Sequence, residues 1–192
     1  MKKLLGSTLV CLTLLTPAVY ASTTLTFDDL NGSNADTITD GYGGFTWNNA
    51  TTLGVIDKNQ TIGSGYYYGT ISSNNSVFNS FGHSPVDIKS VGGSAFTFND
   101  AYFTSAWANQ QISFEGLLNG ISRYTSGLFN INTTTPVDIV LNWSGINEFK
   151  IVNNGSQYAM DNFTTSVPVP GAIWLFASGL LGLGALRKKA QA

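Results

Sequence analysis

Ile112-Ser113-Phe114-Glu115-Gly116-Leu117-Leu118-Asn119-Gly120-Ile121-Ser122-Arg123-Tyr124 is the stretch on which the fold turns. Ile112, Phe114, Gly116 and Leu118 fall at every second position against Ser113, Glu115 and Leu117. Period two is the repeat of a strand with one buried face. Asn119-Gly120 follows. Both residues tolerate positive φ, so a type I′ turn is expected to return the chain into a second strand over Ile121 to Tyr124. The unit is an antiparallel hairpin.

Working outward, the same alternation recurs. Leu25 and Phe27 alternate with Thr24, Thr26 and Asp28, Phe45 and Trp47 flank Thr46, and Phe96 and Phe98 flank Thr97. Val137, Ile139, Leu141 and Trp143 form one inward row, Phe149 and Ile151 begin another, and Tyr158 to Thr165 closes the body. Gly41 to Gly44, Gly63 to Gly65 and Gly92-Gly93 punctuate these runs. No long helical stripe competes. The expected class is all-β: an antiparallel β-sandwich, jelly roll-like, of about eight or more short strands.

The two ends read differently. Lys2-Lys3, the apolar run Leu4 to Leu15, and Val19 and Ala21 at the minus-three and minus-one positions make residues 1–21 a secretory signal helix, cut after Ala21. An uncleaved anchor helix is the alternative, disfavoured by the short run broken at Pro17. Cys11 lies inside that segment, without the small residues of a lipobox before it. At the far end Val167-Pro168-Val169-Pro170 precedes an apolar stretch, Gly171 to Leu186, and then Arg187-Lys188-Lys189. Sixteen residues make a helix of about 24 Å, marginal for a bilayer core of about 30 Å. Trp174 suits the interface and the basic cluster stays cytoplasmic. Pro168 keeps Val167 extended, and Pro170 suits a first helical position.

That order of residues, Val-Pro-Val-Pro-Gly-Ala-Ile-Trp-Leu-Phe-Ala-Ser-Gly-Leu-Leu-Gly-Leu followed by basic residues, resembles the sorting signal of PEP-CTERM proteins. Val169 stands where the family name has Glu. The resemblance implies recognition by the membrane enzyme exosortase, cleavage near the proline pair, and delivery to the cell surface or an exopolysaccharide (biofilm) matrix. A simple tail anchor is the plainer reading of residues 167–192.

Between the ends lie Ser22 to Ser166, 145 residues, enough for one core. All eleven acidic residues fall here, with only Lys58, Lys89, Arg123 and Lys150 among the basic ones, a net charge of −7. Such a field repels phosphate backbones and argues against nucleic acid as a partner. No cysteine remains in the body, so neither disulfides nor thiolate chemistry is available there.

Leu25-Thr26-Phe27-Asp28-Asp29-Leu30 and Tyr158-Ala159-Met160-Asp161-Asn162-Phe163 are similar to the first and last strands of carbohydrate-binding jelly-roll modules. In those folds the terminal strands pair, and acidic groups on them often hold a structural Ca²⁺. Asp28, Asp29 and Asp161, with Asn31 nearby, are the corresponding candidates. The alternative is that one Asp faces water while the others cap turns.

Stacking platforms for sugar rings need exposed aromatics. Trp47, Trp143, Phe96 and Phe98 lie on apolar rows and read as core. Tyr66-Tyr67-Tyr68, read as an extended strand, cannot all face one side. With Tyr42 and Trp107 they are the candidate glycan contacts, an ordinary edge strand being the alternative. Catalysis has little support. His83 sits alone in a Gly82-His83-Ser84-Pro85 turn, and Glu115 and Glu148 alternate away from the apolar rows. The expected protein is a non-enzymatic envelope or matrix component, with specific glycan binding as a second reading and a glycan-modifying enzyme as a third.

Overall fold

A computed structural model describes residues 20–47 and 52–168. Residues 21–167 form one compact unit. The remaining unit comprises residues 1–20 and 168–192, of which only Tyr20 and Pro168 are described. The expected signal helix up to residue 19, the helix over 171–186, and Val169, Pro170, Trp174, Arg187, Lys188 and Lys189 lie outside the described residues. Among the described residues no helix is long and apolar enough to cross a membrane.

The body is a sandwich of two six-stranded antiparallel sheets. In the first, β10 (Val137–Ile146), β6 (Phe96–Ser105), β12 (Tyr158–Pro168), β4 (Asn75–Asn79) and β3 (Leu53–Asp57) lie side by side, and β1 (Tyr20–Leu25) also pairs with β12. The second runs β2 (Phe45–Thr46), β5 (Val86–Ser90), β11 (Glu148–Asn153), β7 (Gln110–Leu118), β8 (Ile121–Thr125), with β9 (Phe129–Ile131) also on β7. One large aromatic core joins the sheets. Phe98 of β6 stacks on Phe149 of β11 at 3.9 Å, and Phe45 meets Phe163 edge-on at 5.6 Å. Aromatic pairs of this kind add about 0.5–1.5 kcal/mol beyond the burial of their area.

The expected hairpin forms: Leu118 pairs with Ile121, and Asn119 and Gly120 hold φ of 53° and 77°. One detail differs. Ile112, Phe114 and Gly116 face inward, but the next buried residue is Leu117, not Leu118. The β7–β8 register shifts between Gly116 and Leu117 with the extra residue on β8, while the β7–β11 ladder runs on through Leu117 and Glu148, so Leu117 keeps the outward parity and is buried outside the main core. Gly116 leaves space for the core here, since a Cβ would sit 3.0 Å from the Trp143 ring. The row Val137, Ile139, Leu141 and Trp143 faces the core, with Ile139 fully buried and the others partly.

The outer face of the first sheet is roofed over β3, β4 and β12, while β10 leaves Asp138 and Val140 exposed. A five-residue helix, α1 (Gly65–Gly69), begins at Ser64, whose side chain accepts from the Tyr67 N–H. This is a standard N-cap. Tyr66, Ile56, Phe78, Ala106 and Ala159 close a second, smaller hydrophobic cluster beneath it. Here the strand expected for Tyr66-Tyr67-Tyr68 is corrected. The helix sets the three rings about 100° apart, so Tyr66 is buried (3% exposed), Tyr67 is half-buried and Tyr68 is exposed.

Candidate functional site

Trp107 lies two residues beyond the end of β6 and stands out of the sandwich, 64% exposed. It is nonetheless fixed. Its Nε1–H donates to Gln157 Oε1 at 2.9 Å, and its ring meets Tyr66 edge-on at 5.4 Å. The bond to Gln157 is itself braced, because the Gln157 carbonyl accepts from Gln110 Nε2 at 2.8 Å and from the Ala106 N–H at 3.0 Å. Gln110 is buried and donates a second bond to Ser105 Oγ at 2.8 Å. Burial in turn pushes the ionisation of Tyr66 well above the usual tyrosine range, so its hydroxyl stays neutral. An exposed indole held at both its N–H and one ring edge is a preorganised surface.

Concavities open beside this ring. One, of about 350 Å³, is lined by Gln60, Thr61, Ile62, Ser64 and Thr133 together with Trp107. The other, of about 510 Å³, has Phe81, Gly82, Gly155, Ser156 and Gln157 in its walls, again with Trp107. Phe81 is 91% exposed at a φ of 55°, a left-handed conformation that bulky residues rarely adopt. Its neighbour Gly82 explains how the turn is held. A Cβ there would lie 2.0 Å from the Gly155 carbonyl oxygen, so the two loops touch through bare backbone. Buried Asn79 ties the same loops together. Its Nδ2 donates to the carbonyls of His83 and Ser156 at 3.0 and 3.2 Å, and its Oδ1 accepts from the Tyr158 N–H at 2.7 Å. No ionisable acid or base lines either concavity.

Of the residues nominated from sequence, Trp107 alone is in this site. Tyr66 supports it from below, whereas Tyr67 and Tyr68 pack against each other on α1 at 5.3 Å and line neither concavity. Tyr42 lies apart. It is half-buried against Phe27 and Trp47, and its hydroxyl donates to Asp29 Oδ1 at 2.7 Å. Phe81, Ile62 and Gln157 were not singled out. The Phe81-Gly82 pair ahead of His83-Ser84-Pro85 marks a turn, but nothing in the residue order announces that the ring faces water.

The three aspartates considered for calcium each accept hydrogen bonds from the protein itself. Asp161, fully buried, accepts the N–H groups of Ile71 and Ser72 on Oδ2 and of Asn162 on Oδ1, each at 2.7 Å. Asp28 accepts Ser73 on one oxygen, and Asn74 and Asn75 on the other, at 2.7 to 3.0 Å. Both carboxylates therefore clamp one loop, Ile71 to Asn75, with every carboxylate oxygen accepting from at least one backbone N–H. Among the described residues no three His, Cys, Asp or Glu side chains gather where they could hold a metal ion. Burial raises Asp161 to about 6 against the opposing effect of its N–H partners. For Asp28 burial also opposes ionisation, but the amides of Asn74, Asn75 and Ser73 outweigh it and hold the carboxyl below its usual range.

Glu115 and Glu148 lie on the outer face of the second sheet, engaged by lysines. Lys89 Nζ is 3.4 Å from Glu148, and Lys150 Nζ is 3.5 Å from Glu115 and 4.0 Å from Asp87. Val167 and Pro168 are exposed and extended at the end of β12, and Ala21 is the second residue of β1.

No family model matches the sequence, and comparison with curated proteins finds no match. Among solved structures, a tandem of family-22 carbohydrate-binding modules from Paenibacillus barcinonensis overlays with a TM-score of 0.44 at 12% identity, over 77% of this chain and 44% of that one. The CBM22-1 and GH10 modules of a Clostridium thermocellum endo-1,4-beta-D-xylanase, complexed with xylohexaose, give 0.41 at 10% identity over 68% and 27%. A family-32 module from C. perfringens, in complex with galactose, gives 0.33 at 11% over 77% and 92%. The chain thus spans less than half the length of the first two. Overlaps this loose leave the architecture to be defined by the strand pairing itself.

Proposed function

We propose that this chain is an exported, non-catalytic β-sandwich protein of the cell envelope or extracellular polysaccharide matrix, and that its body holds glycan at Trp107. The observation that carries the reading is an indole 64% exposed yet immobilised by Gln157 and Tyr66. The apolar face of a sugar ring stacks on such a surface without an ordering penalty, while nearby amides and hydroxyls satisfy its hydroxyl groups. The site's walls carry no carboxylate pair, so it binds and does not hydrolyse. Electrophoresis of the protein through gels containing polysaccharide tests this. Retardation by a bound polymer is expected to vanish with Trp107→Ala and to survive in part with Trp107→Phe. Unchanged retardation of Trp107→Ala would remove the site.

Export and surface delivery rest on the two ends of the chain. Residues 1–21 supply the signal, and the Val167-to-Lys189 stretch supplies the exosortase-type sorting tail. Removing residues 167–192 is expected to release a folded body into the medium. Retention of the shortened chain at the cell surface would count against the tail as the address.

A further inference from the structure

Resting on the reading of Trp107 as a sugar contact, we infer that the ligand is the interior of a linear, uncharged polysaccharide, laid across the Trp107 ridge and continuing onto Phe81 as a second stacking position. Three observations meet here. Trp107 is a wall common to two concavities of about 350 and 510 Å³, each within the range of a whole small-molecule site. A lone terminal sugar would fill one side only, whereas a chain passing over the ridge uses both.

The second observation is chemical. The walls carry amides and hydroxyls of Gln60, Thr133, Ser156 and Gln157, but no lysine, arginine, aspartate or glutamate. These groups both donate and accept, as sugar hydroxyls do. A body of net charge −7 with no cation at the site repels uronate, sulfate or phosphate polymers.

The third is Phe81. A phenylalanine 91% exposed at φ 55° combines backbone strain with an unburied ring, and such strain persists where surrounding structure over-determines it. The Gly82–Gly155 contact and the Asn79 bonds supply that constraint. The ring shares the larger concavity with Trp107. Facing sugar, it has a partner for the apolar surface that the fold leaves bare.

The test uses the full chain in a detergent without sugar groups, titrated calorimetrically with linear glucan, mannan and galactan oligomers from the disaccharide upward, and with carboxymethylated counterparts. Affinity for one uncharged series is expected to climb with length and then level off, and the charged counterparts are expected to bind more weakly. Phe81→Gly is the variant of choice, because glycine accepts φ 55° and the fold is kept. It is expected to weaken the longest oligomer by at least about tenfold and to leave the shortest binder unchanged. Trp107→Ala is expected to abolish both. Flat length dependence, equal binding of charged oligomers, or an unaffected Phe81→Gly would overturn the inference while Trp107→Ala still upheld the sugar site. Loss of neither with Trp107→Ala would remove the underlying reading as well. No binding by any uncharged series, with concentration-dependent dimers that Phe81→Gly disperses, would make this face a self-association surface instead.

Discussion

On the first sheet Ile56, Phe78, Ala159 and Asp161 point away from the main core and lie under α1 and the loop that follows it. On the second, the outward side chains of β5, β7 and β11 include Asp87, Lys89, Glu115, Glu148 and Lys150, paired across strands and part-buried by one another except for the more exposed Lys89. Both faces obey the same alternation. What separates them is a covering segment, contributed by residues 58–74, that turns part of one outward face into a second interior. An outward position is therefore polar or apolar according to what crosses it, and only the uncovered sheet shows the pattern of a simple sandwich.

The roofed face should be the more fragile of the two. Tyr66→Ala empties the small cluster and removes the support of Trp107, with an expected loss of about 3–5 kcal/mol read from the urea midpoint. A loss under about 1 kcal/mol would mean that α1 is a loose flap rather than a packed roof.

Asp161 gives the next effect, in pH. Its carboxyl is raised to about 6 in the folded protein, above its ordinary 3.8. The protonated form is favoured by folding, so this group's contribution is fully present below about pH 4 and is lost as pH rises through about 6. The swing is of order 2–3 kcal/mol. Asp28 has the opposite sign: its lowered pKa contributes stability that disappears as pH falls. Urea midpoints measured between pH 4 and pH 7 are expected to fall in wild type as pH rises from about 4 to about 6, and that part of the fall is expected to be missing in Asp161→Asn. An identical slope in wild type and variant would show that Asp161 is not the titrating group.

On the open face, Lys150→Ala removes two half-exposed ion pairs and should cost only about 0.5–1 kcal/mol, less at high salt. A larger, salt-independent loss would show that the second sheet also depends on its outer surface.

The sandwich was legible because its signals are local. Asn119-Gly120 specifies its own turn, and the row from Val137 to Trp143 needs no knowledge of its neighbours to face inward. What lay hidden depends on contacts distant in the chain. The helix at Tyr66 is one turn long, too short for a 3.6 periodicity to emerge from three successive tyrosines. Asp161 falls on the outward parity of β12 and reads as solvated until the loop at Ile71 to Asn75, ninety residues earlier, is placed over it. Trp107 could be nominated as an aromatic off the apolar rows. Phe81 could not, since its exposure follows from the contact between Gly82 and Gly155 across the sandwich.

The position of β12 has a mechanical consequence. Its final residues, Val167 and Pro168, lie on a strand bonded to β6 along one side and to β4 and β1 along the other. A tether leaving the body there would load the strand along its axis, at right angles to its ladder bonds, so many would have to shear together instead of unzipping singly. The body would then resist drag from fluid or from a captured polymer best in the direction in which an attachment at that end would pull.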